Sequence, residues 1–215
     1  MIKSIIFDFD GVISDSFPVT KMIFENLKKE KGLFKDMKIE NMLDDGIEET
    51  IRKSPHPKLY VLWLMLKAQK DYSEELSDTD LIPGMEKVIK YLSKNYDLNI
   101  LSSNRKENIE KFLEKKKLKN YFSDIYSIKS LFGKHRSMRN ILRKKRLKAR
   151  HIIYVGDEDR DVLSLKKINV KVISVTWGYN SKKRLEEVNR LFIAEKPEEI
   201  IKNVKKIDKR RIEKK

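Results

Sequence analysis

The apolar and polar residues of the chain fall into stretches of two different periods. Ile5-Ile6-Phe7, Leu98-Asn99-Ile100-Leu101, Ile125-Tyr126-Ser127, Ile152-Ile153-Tyr154-Val155 and Val172-Ile173-Ser174-Val175 are short and mostly apolar, and turn-forming or charged residues follow most of them. Runs of that length suit strands covered on both faces, as in a parallel sheet. Between them the period lengthens. Val88, Ile89 and Leu92 predict one helix, Ile109 to Leu118 a second, Met138 to Leu147 a third, and Val162 with Leu165 a fourth. After Trp177-Gly178-Tyr179 come a polar helix, the short segment Leu191-Phe192-Ile193-Ala194, and a last helix opened by Glu195-Lys196-Pro197-Glu198-Glu199, whose charged tail is expected to fray beyond Lys205. Strands alternating with helices predict an α/β fold with a doubly wound parallel sheet, which binds ligands at the carboxyl ends of its strands.

Residues 16–81 follow only the longer period. Pro18 opens a helix with Met22, Ile23 and Leu27 on its apolar face, running to Gly32; Ile39, Met42, Leu43, Ile47 and Ile51 give further helical fragments. Ser54-Pro55-His56-Pro57 then precedes a strongly apolar helix, Leu59 to Ala68, in which Trp63 and the neighbouring Leu and Met residues are expected in a core. Leu81-Ile82-Pro83-Gly84-Met85 ends the block. The expected organisation is a core of residues 1–15 and 82–215 with a small all-helical domain, 16–81, inserted after the first strand.

Composition narrows the picture. A chain of 215 residues with 40% apolar content can bury a full core. The absence of cysteine excludes disulfides, thiolate metal sites and thiol catalysis, and fits a reducing compartment. The first strand starts too close to Met1 for a signal peptide, and no apolar run has the length of a membrane span, so a soluble cytoplasmic protein, monomer or homodimer, is expected. The net charge is +16, with a pI near 9.7, yet Lys and Arg are scattered among 33 acids, which points to a solvated basic surface. Arg143-Lys144-Lys145-Arg146, Lys148, Arg150 and the basic tail keep a nucleic-acid partner as an alternative.

The chemistry begins at Ser4-Ile-Ile-Phe-Asp8-Phe-Asp10-Gly11. Acids two apart at a strand end share one side of it, and like charges that close call for a cation between them, which implies a divalent metal. Gly11 permits a sharp turn and close approach of a ligand to the backbone. Plain turn chemistry is the alternative for such a pair. An EF-hand calcium loop is excluded, because it needs a third oxygen ligand before its glycine. At the next strand end, Leu101-Ser102-Ser103-Asn104 precedes a helix. There a hydroxyl and exposed N–H groups can hold an anion, although Ser103 or Asn104 could equally be an N-cap. Lys134, after Phe132-Gly133, is either surface decoration or part of the site. Val155-Gly156-Asp157-Glu158-Asp159-Arg160-Asp161 repeats the first pattern, with Asp157 and Asp161 one turn apart, and hard oxygen ligands of this kind suit Mg²⁺.

Taken in order, these stretches resemble the four motifs of the haloacid dehalogenase-like hydrolases. Asp8-Phe9-Asp10-Gly11 is similar to motif I, Ser103 to motif II, Lys134 to motif III with Lys129 as the fallback, and Gly156-Asp157 through Asp161 to motif IV. The wording Val-Gly-Asp-Glu and Val175-Thr176-Trp177-Gly178-Tyr179 looks most like the phosphoglycolate phosphatase-like branch, with Asn169-Val170 departing from it. The resemblance implies a phosphatase. Asp8 is the nucleophile, Asp10 the general acid and base that separates phosphatases from dehalogenases, and Gly11, Ser103, Asn104 and Lys134 are the phosphate-binding groups. Mg²⁺ is expected on Asp8, Asp10, Asp157 and Asp161, with Glu158 and Asp159 in supporting or solvent-facing places. The inserted helices match a cap that closes over a small phosphorylated substrate, with Lys21, Arg52 and His56 its candidate contacts. A phosphatase acting on nucleic acid, a phosphomutase and a non-catalytic phosphate binder are the rival readings.

Overall fold

The computed structural model describes residues 1–31, 49, 51–128 and 134–212. Along the chain run β1 (Ser4–Phe7), β2 (Ser14–Asp15), α1 (Phe17–Lys31), α2 (Lys58–Asp71), α3 (Ser73–Ser77), β3 (Asp80–Leu81), α4 (Met85–Leu92), β4 (Asp97–Ser102) and α5 (Lys106–Lys115). Then follow β5 (Asp124–Ser127), α6 (Lys134–Lys144), β6 (Ile152–Gly156), α7 (Asp159–Lys166), β7 (Lys171–Val175), α8 (Lys182–Val188), β8 (Ile193–Ala194) and α9 (Glu198–Ile212). Gly32, Ile39, Met42, Leu43, Ile47, Lys129, Phe132 and Gly133 lie outside the described residues.

Six strands form one parallel sheet in the order β5-β4-β1-β6-β7-β8. Ser4 pairs with Asp97 on one side and Ile152 on the other, so β1 is central. The parity of the strand residues sorts them into two layers. Ile5, Phe7, Leu98, Ile100, Ile153, Val155, Ile173 and Val175 pack into the larger cluster with α4, α5 and α9. Ile6, Leu101, Ile152, Tyr154 and Val172 pack into the other with α6 and α7. The chain winds outward from β1 through β4 to β5 and then returns to β6 on the opposite side of β1. That reversal makes the carboxyl end of β1 the topological switch point, where open α/β sheets bind ligands.

Residues 16–79 leave and rejoin the core through the antiparallel ribbon of β2 and β3, in which Ser14 faces Leu81 and Asp15 faces Asp80. The Ser14 and Thr79 hydroxyls bond across its base at 2.5 Å. Phe24, Ile51, Val61 and Leu64 form a separate small cluster in this segment. One expectation fails here. Trp63 is 55% exposed and Leu59 82%, while Val61, Leu64 and Ala68 are buried. Helix α2 is apolar on nearly every side, and the face bearing Val61, Leu64 and Ala68 is the buried one.

Candidate active site

The site is built where β1, β4 and β6 end side by side. Strand β1 stops at Phe7, and the Phe9 carbonyl accepts the amide hydrogens of Val12, Ile13 and Ser14 at 3.3, 2.9 and 3.0 Å. Asp10 therefore lies in the turn that follows the strand, and the two carboxylates take different partners. Asp8 is 5% exposed. One of its oxygens accepts the Phe9 amide hydrogen at 2.8 Å, and the other accepts from the Lys134 ammonium. Both oxygens of Asp10 are 3.1 Å from the Asn104 side-chain amide.

Lys134 opens α6 and is buried. Its ammonium donates to Asp8, to Asp161 Oδ2 at 2.5 Å and to the Tyr154 hydroxyl at 2.6 Å, which uses all three of its donors. Tyr154 in turn donates to Asp161 Oδ2 at 3.1 Å. Burial favours the neutral amine, but the carboxylates of Asp161 and Asp8 outweigh it and hold the Lys134 pKa above its ordinary value. Burial pushes Asp8 up to about 7 despite the opposing Lys134 charge, and it raises Asp10 as well.

Asp157 is arranged differently. It is fully buried, and the Tyr179 amide hydrogen reaches its Oδ2 at 2.7 Å, while Oδ1 has no partner. Burial, followed by the charges of Glu158 and Asp8, drives its pKa well above the ordinary carboxylate range. Two glycines make room for it. Gly11 has φ of +70°, and a side chain at Gly11 or at Gly178 would collide with the Asp157 carboxyl. Helix α7 begins at Asp159, after Glu158, so Asp161 faces Lys134 across the site while Glu158 joins Asp8 and Asp157. Ligand oxygens of these three lie within 4.8 Å of one another, and Arg160 holds Glu158 at 2.5 Å. Three converging carboxylates, one with an unused buried oxygen, are a donor set suited to a hard divalent cation.

The phosphate-binding candidates surround this group. Ser103 is the first residue after β4 and is half-buried; the preceding Ser102 uses its hydroxyl to accept the Asn104 amide hydrogen at 3.0 Å. Asn104 is fully buried and is steadied by the Arg105 amide and by Asn108, both of which donate to its Oδ1. Of the candidate contacts in the insertion, Arg52 pairs with Glu49 and the His56 ring lies beside Tyr60. Three residues given no direct role in the sequence reading take part in the site. Glu158 sits among the acids, Tyr154 holds Lys134, and Tyr179 holds Asp157. The signals for the two tyrosines were a hydroxyl-bearing residue inside an otherwise aliphatic strand and an aromatic directly after Gly178 at a strand end, since a buried tyrosine hydroxyl needs a partner.

Residues 5–175 match the family model of the haloacid dehalogenase-like hydrolases. The phosphoglycolate phosphatase of Synechococcus elongatus is 26% identical over 205 residues, covering 94% of this chain and 97% of the relative. The pyrophosphatase PpaX of Oceanobacillus iheyensis is 22% identical, covering 93% of this chain and 95% of its own. A haloacid dehalogenase-like family hydrolase from Streptococcus pneumoniae superposes with a TM-score of 0.77 at 21% identity, over 93% of this chain and 97% of that one. With the family match spanning all six strands but the last, the chain belongs to the haloacid dehalogenase-like hydrolases, in their phosphoglycolate phosphatase-like branch.

Proposed function

We propose that the protein is a Mg²⁺-dependent phosphatase that hydrolyses a small phosphate monoester, of the phosphoglycolate kind, through an aspartyl-phosphate intermediate. The observation that supports this best is the setting of Asp8: a buried carboxylate at the switch point of the sheet, bound on one oxygen by a lysine and flanked by Asp157 and Glu158. In this reading Asp8 Oδ attacks phosphorus in line and the P–O bond to the leaving group breaks. Asp10, steadied by Asn104, gives its proton to the departing alkoxide and then takes one from the water that hydrolyses the acyl phosphate. The Ser103 hydroxyl and Asn104 receive the phosphoryl oxygens, and Lys134, whose donors are already engaged, contributes its charge beside Asp8, while the Gly11 amide hydrogen is bonded to the Ser14 carbonyl at 2.9 Å. Asp8, Asp157 and Glu158 would hold Mg²⁺, with Asp10 and Asp161 flanking them, and the bound ion neutralises phosphoryl charge.

The helices between Asp15 and Asp80 act as the cap, with residues 1–15 and 82–215 as the core. The β2–β3 ribbon places their root beside Asp10, which suits a part that excludes water from the reaction. The cysteine-free composition fits a cytoplasmic location, and no helix among the described residues is long and apolar enough to cross a membrane.

Phosphate release with Mg²⁺ is the test, from phosphoglycolate, sugar phosphates, nucleotides, pyrophosphate and a phosphorylated oligonucleotide, comparing wild type with Asp8→Asn. Turnover of a small ester that disappears in Asp8→Asn is the expected result. Preference for the oligonucleotide would replace the small-ester reading, and transfer of phosphate between sugar hydroxyls without release would make the protein a mutase.

A further inference from the structure

We propose that Tyr154 is a positioning residue for Lys134, and that Gly156 supplies the space that lets it act; this rests on the reaction described above. Tyr154 stands in the middle of β6 and is fully buried in the layer that packs against α6 and α7. Packing among Ile6, Met138 and Val162 would be served by a ring alone, and a hydroxyl brought into such a layer needs a partner. The Tyr154 hydroxyl finds its partners in the site. It accepts from the Lys134 ammonium at 2.6 Å and donates to Asp161 Oδ2 at 3.1 Å, and Lys134 donates to that same oxygen at 2.5 Å. The three groups close a triangle, with one corner each from β6, α6 and α7.

The strand itself makes room for this triangle. Residues 154 and 156 are two apart, so their side-chain positions share one side of β6. A Cβ at Gly156 would come within 2.6 Å of Tyr154 Cε1 and 3.2 Å of Asp161 Oδ2. Among the described residues, Gly11 and Gly84 are the glycines of positive φ, so no left-handed backbone calls for glycine at 156; the tyrosine ring does. The consequence falls on Lys134. Its four-carbon stem has many rotamers, and its ammonium has three donors and no acceptor. Tyr154 and Asp161 take two of those donors and leave the third for Asp8, so the cation meets the attacking carboxylate in one orientation. Tyr154→Phe would strand a buried donor and free the ammonium to shift among the carboxylates around it. A ring with two torsions, anchored in the core, thus sets a long flexible side chain against the nucleophile.

The test uses the whole protein as Tyr154→Phe, Gly156→Ala, Lys134→Met and the double variant Lys134→Met/Tyr154→Phe. Turnover is read with p-nitrophenyl phosphate, and Mg²⁺ binding is read by thermal shift. Tyr154→Phe keeps the ring and leaves Asp157 and Glu158 untouched, so its Mg²⁺ midpoint should equal that of wild type while kcat falls about 10-fold with KM within about 2-fold. Gly156→Ala keeps the hydroxyl but displaces the ring, and should lose at least as much rate. In the Lys134→Met background the hydroxyl has nothing left to hold, so adding Tyr154→Phe should change kcat by no more than about 2-fold. Wild-type kcat in Tyr154→Phe, or the same 10-fold loss on top of Lys134→Met, would overturn the proposal, the second by assigning the effect to packing. Full activity in Gly156→Ala would refute the part given to the glycine. Asp8→Asn in the same assay separates the two levels. If it is dead, a silent Tyr154→Phe defeats this inference alone; if it still turns over, the aspartyl-phosphate reading fails and this one with it.

Discussion

The two acidic strand ends look alike in the sequence and are opposite in their electrostatics. Both are buried apolar strands that deliver aspartates beside a glycine. At the end of β1, Asp8 meets a cation that the fold itself supplies, Lys134, which Asp161 and Tyr154 hold in place. At the end of β6, Asp157 receives one backbone hydrogen bond and keeps an oxygen with no partner at all. A buried charge without compensation is unfavourable, and a fold that retains one leaves the compensation to something that binds. The contrast suggests a division of labour: the carboxylate paired with a lysine is available for covalent chemistry as well as for the ion, while the other is shaped for an external ion alone.

The contrast is tested most severely by Asp8→Asn. Turnover should fall by at least about four orders of magnitude, because no other group is placed to attack phosphorus. Mg²⁺ should still raise the melting temperature through Asp157 and Glu158. Next in size is Lys134→Met, which strips the cation from two buried carboxylates. It should lower kcat by about 10²- to 10³-fold and cost about 3 kcal/mol of stability in chemical denaturation. Asp157→Asn should weaken Mg²⁺ about 100-fold in a calorimetric titration, yet leave the metal-free protein as stable as wild type or slightly more so. A metal-free Asp157→Asn that melts well below wild type would mean that the Asp157 carboxylate is internally compensated after all.

The smallest expected effect is a pH dependence. The folded state binds a proton at Asp8 more tightly than the unfolded chain does, at about 7 against 3.8, because burial disfavours the charged form. Its contribution to stability is complete below the unfolded value and is lost as pH rises through the folded one. Asp10 and Asp157 shift in the same direction. The metal-free protein should therefore melt several degrees lower at pH 8 than at pH 5, with Mg²⁺ narrowing the difference. A metal-free melting temperature that climbs across that range would contradict the sign.

Sequence alone carried the parallel sheet, because five of its strands are short apolar runs and because their alternation with helices calls for parallel pairing; the order of the strands came from the structure. It also led to Asp8, Asp10, Asn104, Lys134, Asp157 and Asp161, which stand at element ends where polarity changes abruptly. What it did not carry is convergence across elements. Glu158 reads as one more charged residue in a charged loop until the helix start at Asp159 turns it toward Asp8. Tyr154 reads as a core aromatic until its hydroxyl is seen to reach the residue that opens α6. The exposure of Trp63 was hidden for the opposite reason. A helix apolar on every face gives no indication of which face its neighbours will cover.

The β2–β3 ribbon has a further consequence. Since the inserted helices depart at Asp15 and return at Asp80, directly opposite, the sheet and its strands are joined to them as to an elaborate hairpin turn. The entropy of closing such a turn grows slowly with its length, so residues can be added to it, removed or exchanged with little penalty to the sheet. Lineages can thus retool what enters the site while inheriting the reactive centre intact, and an experimenter can do the same by grafting a foreign insertion between two strands of two residues each.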